Sequence, residues 1–315
     1  MDRRRVAVIA VLCVLAVPMA ILTVRSATSG HASTTSSAGS GNGATGVKVT
    51  GAFGEKPTLT VPDTDPPRQL QTKVLTAGSG SKVQSGQTLV ANYLGETWDL
   101  KNGQPNVFDN SYDRGAPAGF PIGTGKVIPG WDRALVGQQV GSRLLLTIPP
   151  ELAYGTSTEA ASGASELAGH TLVFVVDIVD ALDANAAATG TAVTTVPAGL
   201  PKVTSESGRQ PAIVSVKGVK AGKTARSALL LKGTGPAIDP SKNLAVQIIQ
   251  TDIATGKQVT QTWGSTGATV LTASQVLGVV SALKGQPVGS RAVAVTPNQA
   301  NSPGVILVLD VVAQY

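Results

Sequence analysis

Cysteine occurs once, at Cys13, and histidine twice, at His31 and His170. A single cysteine, set in an N-terminal apolar run, excludes an intrachain disulfide and a cysteine-based metal site. Two histidines far apart in sequence leave almost no material for a histidine dyad or a metal centre, and no cofactor motif is present. Aromatics make up 3% and charged residues 14% of the 315 residues, against 36 glycines and 19 prolines. That balance suits short strands joined by Gly/Pro turns better than long helices. The net charge of +6 is uneven: residues 1–182 hold 14 Lys/Arg and 14 Asp/Glu, and residues 183–315 hold 11 and 5, so the excess (11 − 5 = 6) lies in the second part. It forms no compact basic run with interleaved aromatics, so it reads as a basic surface and nucleic acid is not an expected partner.

The first 25 residues, MDRRRVAVIAVLCVLAVPMAILTVR, place three arginines before an apolar stretch from Val6 to Val24. This is the pattern of a signal peptide or an N-terminal membrane anchor. The basic flank on the N-terminal side directs the rest of the chain out of the cytoplasm. The length of the run favours an anchor, while Gly30-His31-Ala32 offers a small-x-small cleavage site; secreted and membrane-anchored forms both stay open. Residues 26–46 are a flexible Ser/Thr/Gly tether. A second low-complexity stretch, 183–200, separates two parts of the chain.

Those parts repeat. LTAGSGSKVQSGQTLVANYLG (Leu75–Gly95) aligns with LLKGTGPAIDPSKNLAVQIIQ (Leu230–Gln250). GKVIPGWDRALVGQQVGSRLLLTIP (Gly125–Pro149) aligns with SQVLGVVSALKGQPVGSRAVAVTP (Ser274–Pro297), and TLVFVVDIVDA (Thr171–Ala181) with VILVLDVVAQY (Val305–Tyr315). Two copies imply tandem domains, 47–182 (core 67–182) and 201–315, rather than a solenoid. TLVANYLG, RLLLTIP and TLVFVVDIV read as strands, and PGWDRALVGQ as one short amphipathic helix. The expected class is α+β, an antiparallel sheet wrapped on a single short helix, present twice.

The rings are concentrated in the first copy. Tyr93, Trp98, Phe108, Tyr112, Phe120, Trp131, Tyr154 and Phe174 are eight of the eleven aromatics in the chain. The alignment gives Ile248, Val259, Val280, Ser302 and Leu307 at the places of Tyr93, Phe108, Trp131, Tyr154 and Phe174. A fold that keeps its strand pattern without these rings does not need them as filler. An aromatic-walled pocket in the first copy is the natural reading.

VANYLG, VFDNSYDRGAPAGFPIGTGKVIPGWDRALVGQQVGSRLLLTIPPELAYG and TLVFVVDIV resemble the FKBP-type peptidyl-prolyl cis–trans isomerases, over about Pro67–Leu182 and more weakly over Pro201–Tyr315. The resemblance implies an isomerase acting on X-Pro bonds, with proline-containing polypeptides as substrates and no cofactor or metal. It implies Trp131 as the floor of a prolyl pocket, and Tyr93, Phe108, Phe120, Phe174, Val127 and Ile128 as its walls. The Ile128 N–H and the Tyr154 hydroxyl would bind substrate carbonyls, with Asp109 beside the isomerising amide, held by Arg114 and Tyr93. As an alternative to the last point, Asp109 and Arg114 could be a solvated ion pair of little consequence. Tyr112 and Trp98 have no role in this scheme and read as loop or rim residues. A macrolide ligand is also implied, but the loop after Tyr154, GTSTEAASGASELAGH, lacks the Ile-Pro pattern common in the family, with Glu166 or Leu167 near the Ile position. This counts against tight macrolide binding. The second copy lacks every aligned pocket ring and is expected to be inactive. The alternative function is a non-catalytic extracytoplasmic chaperone or peptide-binding module.

Overall fold

A computed structural model describes residues 46–100, 102–156, 166–264, 266–298 and 303–315. The apolar run at 6–24, most of the tether, residues 157–165 of the loop after Tyr154, and Ser302 lie outside the described residues. Among the described residues no helix is long and apolar enough to cross a membrane.

Strands β1 (Lys48–Thr50) and β2 (Thr58–Thr60) form an antiparallel hairpin. The next six strands are β3 (Gln71–Thr76), β4 (Thr88–Thr97), β5 (Val107–Asn110), β6 (Ala118–Pro121), β7 (Arg143–Ile148) and β8 (Leu172–Leu182). They build one antiparallel sheet in the order β3-β7-β8-β4-β5, with β6 also paired to β4. Helix α1 (Pro129–Leu135) joins β6 to β7. Pro129 stands in its first turn, where the missing N–H costs nothing, and Trp131, Ala134 and Leu135 form its buried face. Seven residues are too few to hold a helix unaided, so packing stabilises it. Gly130 is required by that packing, because a Cβ there would overlap the Ile148 side chain.

Both faces of the sheet are covered. On one, α1 packs with Leu89, Tyr93, Leu144, Leu146, Phe174 and Val176. On the other, Leu94, Leu145, Val173 and Val175 meet Trp98 and Leu59 of the hairpin. The alternation along β4, Tyr93 one way and Leu94 the other, is the pleat expressed as two cores. Trp98 is therefore a buried core residue, 4% exposed, and not a rim residue, and its indole N–H donates to the Thr64 carbonyl at 2.7 Å.

The hairpin is fastened by a buried ion pair. Arg143 Nε and Nη2 donate to Asp177 Oδ1 and Oδ2 at 2.6 and 2.7 Å, and Nη1 and Nη2 to the Gly51 and Glu55 carbonyls at 2.5 and 2.7 Å. Tyr112 also donates to Asp177, at 3.0 Å. It belongs to this buried network and is not a rim residue.

The remaining strands are β9 (Gly190–Ala192), β10 (Lys202–Thr204), β11 (Ala212–Ser215), β12 (Arg226–Gly233), β13 (Asn243–Asp252), β14 (Gln258–Gln261), β15 (Thr269–Thr272), β16 (Arg291–Val295) and β17 (Val305–Gln314). Helix α2 (Ala273–Val279) precedes β16 and opens with a capping box between Thr272 and Gln275. The second sheet runs β14-β13-β17-β16-β12-β9, with β15 on β13 and a separate β10–β11 hairpin. Arg291 Nε and Nη2 donate to Asp310 Oδ1 and Oδ2 at 2.6 and 2.7 Å, and its guanidinium also reaches the Glu206 and Arg209 carbonyls. Residues 183–200, expected as a linker, contain β9, which pairs with Leu231–Gly233 as an edge of this sheet. Ala188 is buried and donates its N–H to Asp310.

Candidate functional site: an aromatic cluster on the helix face

Five rings touch in sequence around Trp131, which is fully buried. Its ring centroid lies 4.9 Å from Phe120, 5.3 Å from Phe174 and 5.5 Å from Tyr93. Tyr93 meets Phe120 at 5.5 Å, and Phe108 meets Phe174 at 5.5 Å. All are edge-to-face contacts, the arrangement ring quadrupoles favour. Tyr93 and Phe174 are buried, whereas Phe108, Phe120 and Tyr154 are half-buried and form the open side of the cluster. Val127 and Ile128, just before α1, are buried against it. Trp131, Phe174 and Tyr93 are core residues in this structure, and Phe108, Phe120 and Tyr154 are the rings that reach the surface.

The strands place these groups. Gly95 stands opposite Phe174 on β8 and Asp109 on β5. A Cβ on Gly95 would lie 2.7 Å from both the Phe108 and Phe174 rings, so the bare backbone is what lets them meet. Ser111, fully buried, accepts the Tyr93 N–H at 2.9 Å and donates to Asn92 Oδ1 at 3.0 Å, which fixes the exit of β5. Asp132 accepts the N–H groups of Gly123 and Gly125 at 2.6 and 2.8 Å and so shapes the loop leading into Val127 and Ile128. Gly95, Ser111 and Asp132 were not singled out in the sequence. The signal was available for Gly95, where a glycine interrupts a strand pattern.

The polar edge is a closed triangle. Tyr93 donates its hydroxyl to Asp109 Oδ2 at 2.5 Å, and Arg114 donates to Asp109 Oδ1 at 2.5 Å and to the Tyr93 oxygen at 2.6 Å. The guanidinium carbon also sits 5.4 Å from the centre of the Tyr93 ring. Burial, then the bond to Asp109, pushes the Tyr93 hydroxyl well above the ordinary phenol range, so it stays protonated. Burial works against the Arg114 charge, but the bonds to Asp109 and Tyr93 prevail and its pKa is raised. Tyr154 is raised by burial and by the nearby charge of Asp109. Among the described residues, nothing accepts from the Tyr154 hydroxyl or from the Ile128 N–H, and the buried indole N–H of Trp131 has no partner. The structure thus brings together Tyr93, Phe108, Asp109, Arg114, Phe120, Val127, Ile128, Trp131, Tyr154 and Phe174 on one face of one sheet.

The second sheet provides an internal comparison. Gln250 stands opposite Leu307 and Thr260, as Gly95 stands opposite Phe174 and Asp109. Ile248 occupies the place of Tyr93. Thr262 accepts the Ile248 N–H at 2.9 Å and donates to Gln247, as Ser111 does with Tyr93 and Asn92. Trp131 stands twelve residues before Arg143 and Val279 twelve before Arg291, so Val279 rather than Val280 holds the tryptophan's place. Thr260 and Leu307 thus pair with Gln250 on the second sheet where Asp109 and Phe174 pair with Gly95 on the first.

The family model for FKBP-type peptidyl-prolyl cis-trans isomerases matches residues 79–179. An FK506-binding protein of Streptomyces anulatus is 41% identical over 125 residues, covering 40% of this chain and 96% of that protein. FK506-binding protein 1A of Neurospora crassa is 38% identical over 122 residues, 38% of this chain and 92% of its own. The crystal structure of AtFKBP13 is 36% identical, with 36% of this chain and 94% of that chain covered and a TM-score of 0.30. Every one of the ten site residues falls within the family match, and the chain belongs to the FKBP-type peptidyl-prolyl cis–trans isomerases.

Proposed function

We propose that the ring cluster of the first unit is the prolyl site, and that it turns X-Pro bonds of exported polypeptides outside the cytoplasm. An X-Pro amide must cross a barrier of about 18–20 kcal/mol. The barrier comes from amide resonance, and water strengthens it by solvating the charge-separated planar form. A proline ring seated against the half-buried Phe108, Phe120 and Tyr154, with Trp131, Tyr93 and Phe174 packed behind them, places the amide against apolar rings and out of water. Resonance is then weaker and the twisted amide nearer in energy. Among the described residues the Ile128 N–H and the Tyr154 hydroxyl have no acceptor, which leaves them to fix substrate carbonyls on either side of the rotating bond. Asp109, held by Tyr93 and Arg114, faces the amide from a fixed position. All of this favours the twisted state over both planar ones, which is catalysis by differential binding, and no step needs a nucleophile.

The observation that carries this reading is the Tyr93–Asp109–Arg114 triangle beside five contacting rings. A protease-coupled assay on an X-Pro peptide tests it. Asp109→Val should lower kcat/KM by about a hundredfold or more; an unchanged rate would remove Asp109 from the site.

We read the second unit as a degenerate copy of the same fold, with domains at 47–182 and 201–315 and β9 belonging to the second. It holds the sheet order, the hairpin and the arginine–aspartate pair, and lacks the prolyl site. Location outside the cytoplasm, secreted or anchored, rests on the arginines and apolar run of residues 1–25. Proline-containing polypeptides are the substrates. A macrolide would enter the same pocket, with the loop after Tyr154 limiting its affinity.

A further inference from the structure

We propose that the second unit is a fixed brace for the prolyl site, clamping the strand that carries Phe120 and the turn that carries Arg114. The proposal rests on reading the ring cluster as that site. β6 pairs with β4 along one side only. Its other side meets the segment Gly267–Ala268 of the second unit, at the start of β15. Gly119, next to Phe120, stands so close to the Ala268 carbonyl that a Cβ there would lie 2.6 Å from the oxygen. Gly267 has φ 70°, and a Cβ on it would overlap Thr88 Oγ1, a buried hydroxyl without a partner. Two glycines facing each other's unit are what allow this approach.

Two side-chain bonds between the units accompany that contact, and a third ties the connecting segment to the second unit. Asn243 Nδ2 donates to the Gly115 carbonyl at 3.2 Å, directly after Arg114. The Tyr315 hydroxyl donates to Asp180 Oδ2 and Gln247 Nε2 to the Ala184 carbonyl, both at 2.9 Å. The clamp therefore reaches both parts of the site. Phe120 touches Trp131 and Tyr93, and Arg114 holds Asp109 and Tyr93. Displacing β6 or the Gly115 turn moves a wall ring or the carboxylate. A misplacement on the order of 1 Å costs an enzyme about a hundredfold. Gly267, Ala268 and Asn243 bring no ring or charge to the pocket, so they are positioning residues.

The test uses the full chain, a protease-coupled X-Pro peptide assay and amide exchange at residues 118–121. Gly267→Ala should lower kcat/KM about tenfold and speed exchange in β6. Adding Thr88→Ala removes the oxygen that the new methyl group meets, and both readouts should return toward wild type. A general loss of stability from the left-handed backbone at 267 would not be relieved by Thr88→Ala. An unchanged kcat/KM in Gly267→Ala, with or without faster exchange, overturns the proposal, as does a loss that Thr88→Ala fails to restore. Trp131→Ala is measured alongside: if it keeps the wild-type rate, the prolyl-site reading falls, independently of the brace.

Discussion

Phe108 and Phe174 meet edge to face, centroids 5.5 Å apart and planes at 85°, against the bare backbone of Gly95. The corresponding place on the second sheet carries Gln250, opposite Leu307 and Thr260. Gly95 has an ordinary strand conformation, so a side chain is excluded by the rings and not by the backbone. Gly95→Ala is expected to cost about 1–3 kcal/mol by overpacking, and Gly95→Gln to displace Phe108 and abolish turnover while the sheet persists. Circular dichroism together with the coupled assay checks both.

Asp132 acts at one remove from the rings. Its two oxygens hold the Gly123 and Gly125 N–H groups, and the loop so shaped presents Val127 and Ile128. Charge-assisted bonds of this kind contribute about 1.5–3 kcal/mol each. Asp132→Ala is expected to raise KM about tenfold, with a smaller effect on kcat, in steady-state measurements over a range of peptide concentrations.

Breaking the buried pair should be far costlier than losing any surface pair. Arg143 and Asp177 are both fully buried, and the guanidinium also holds two hairpin carbonyls. Arg143→Ala removes the cation that faces the buried Asp177 and leaves it only the Gly54 N–H and the Tyr112 hydroxyl. The expected loss is about 3–5 kcal/mol, read as a lower midpoint in urea. Earlier protease cleavage within residues 48–60 should accompany it.

All four tyrosines of the chain are raised above the ordinary 10.0, each by burial first. Asp109 adds to this at Tyr93 and Tyr154, Asp177 at Tyr112 and Asp180 at Tyr315. The folded chain binds these protons more tightly than the unfolded one, so their contribution is fully present below pH 10 and fades as pH rises beyond it. Phenolate absorbance should therefore appear at higher pH in the native protein than in urea, and unfolding free energy should fall above pH 10. Coincident titrations in the two states would contradict the burial of these hydroxyls.

The strands, the helix and the ring set were legible because each is a local pattern. β-rich or continuous apolar runs bounded by Gly or Pro mark β4, β7 and β8, a proline and spaced apolar residues mark α1, and the contrast between the two repeats points to the rings. The packing of Trp98 and Tyr112 is not legible locally, because their partners, Thr64 and Asp177, lie 34 and 65 residues away. VGSR stands in both aligned repeats, but the pattern does not reveal its arginine's partner. A lone aspartate within each apolar run, Asp177 and Asp310, was the available sign. β9 was hidden in a low-complexity stretch, since an edge strand of three small residues has almost no pattern of its own. The helix segment before β16 has no ring to fix its register, so the sequence alignment sets Val280 where the spacing to Arg291 sets Val279.

The most direct measurement is the isomerisation rate of an X-Pro peptide with the full chain carrying Asp109→Val and Trp131→Ala together, the second unit left intact. If the first-unit ring cluster is the only prolyl site, the peptide isomerises at its uncatalysed rate, over about tens to hundreds of seconds. Catalysis persisting near the wild-type level would place the activity elsewhere in the chain and contradict the account.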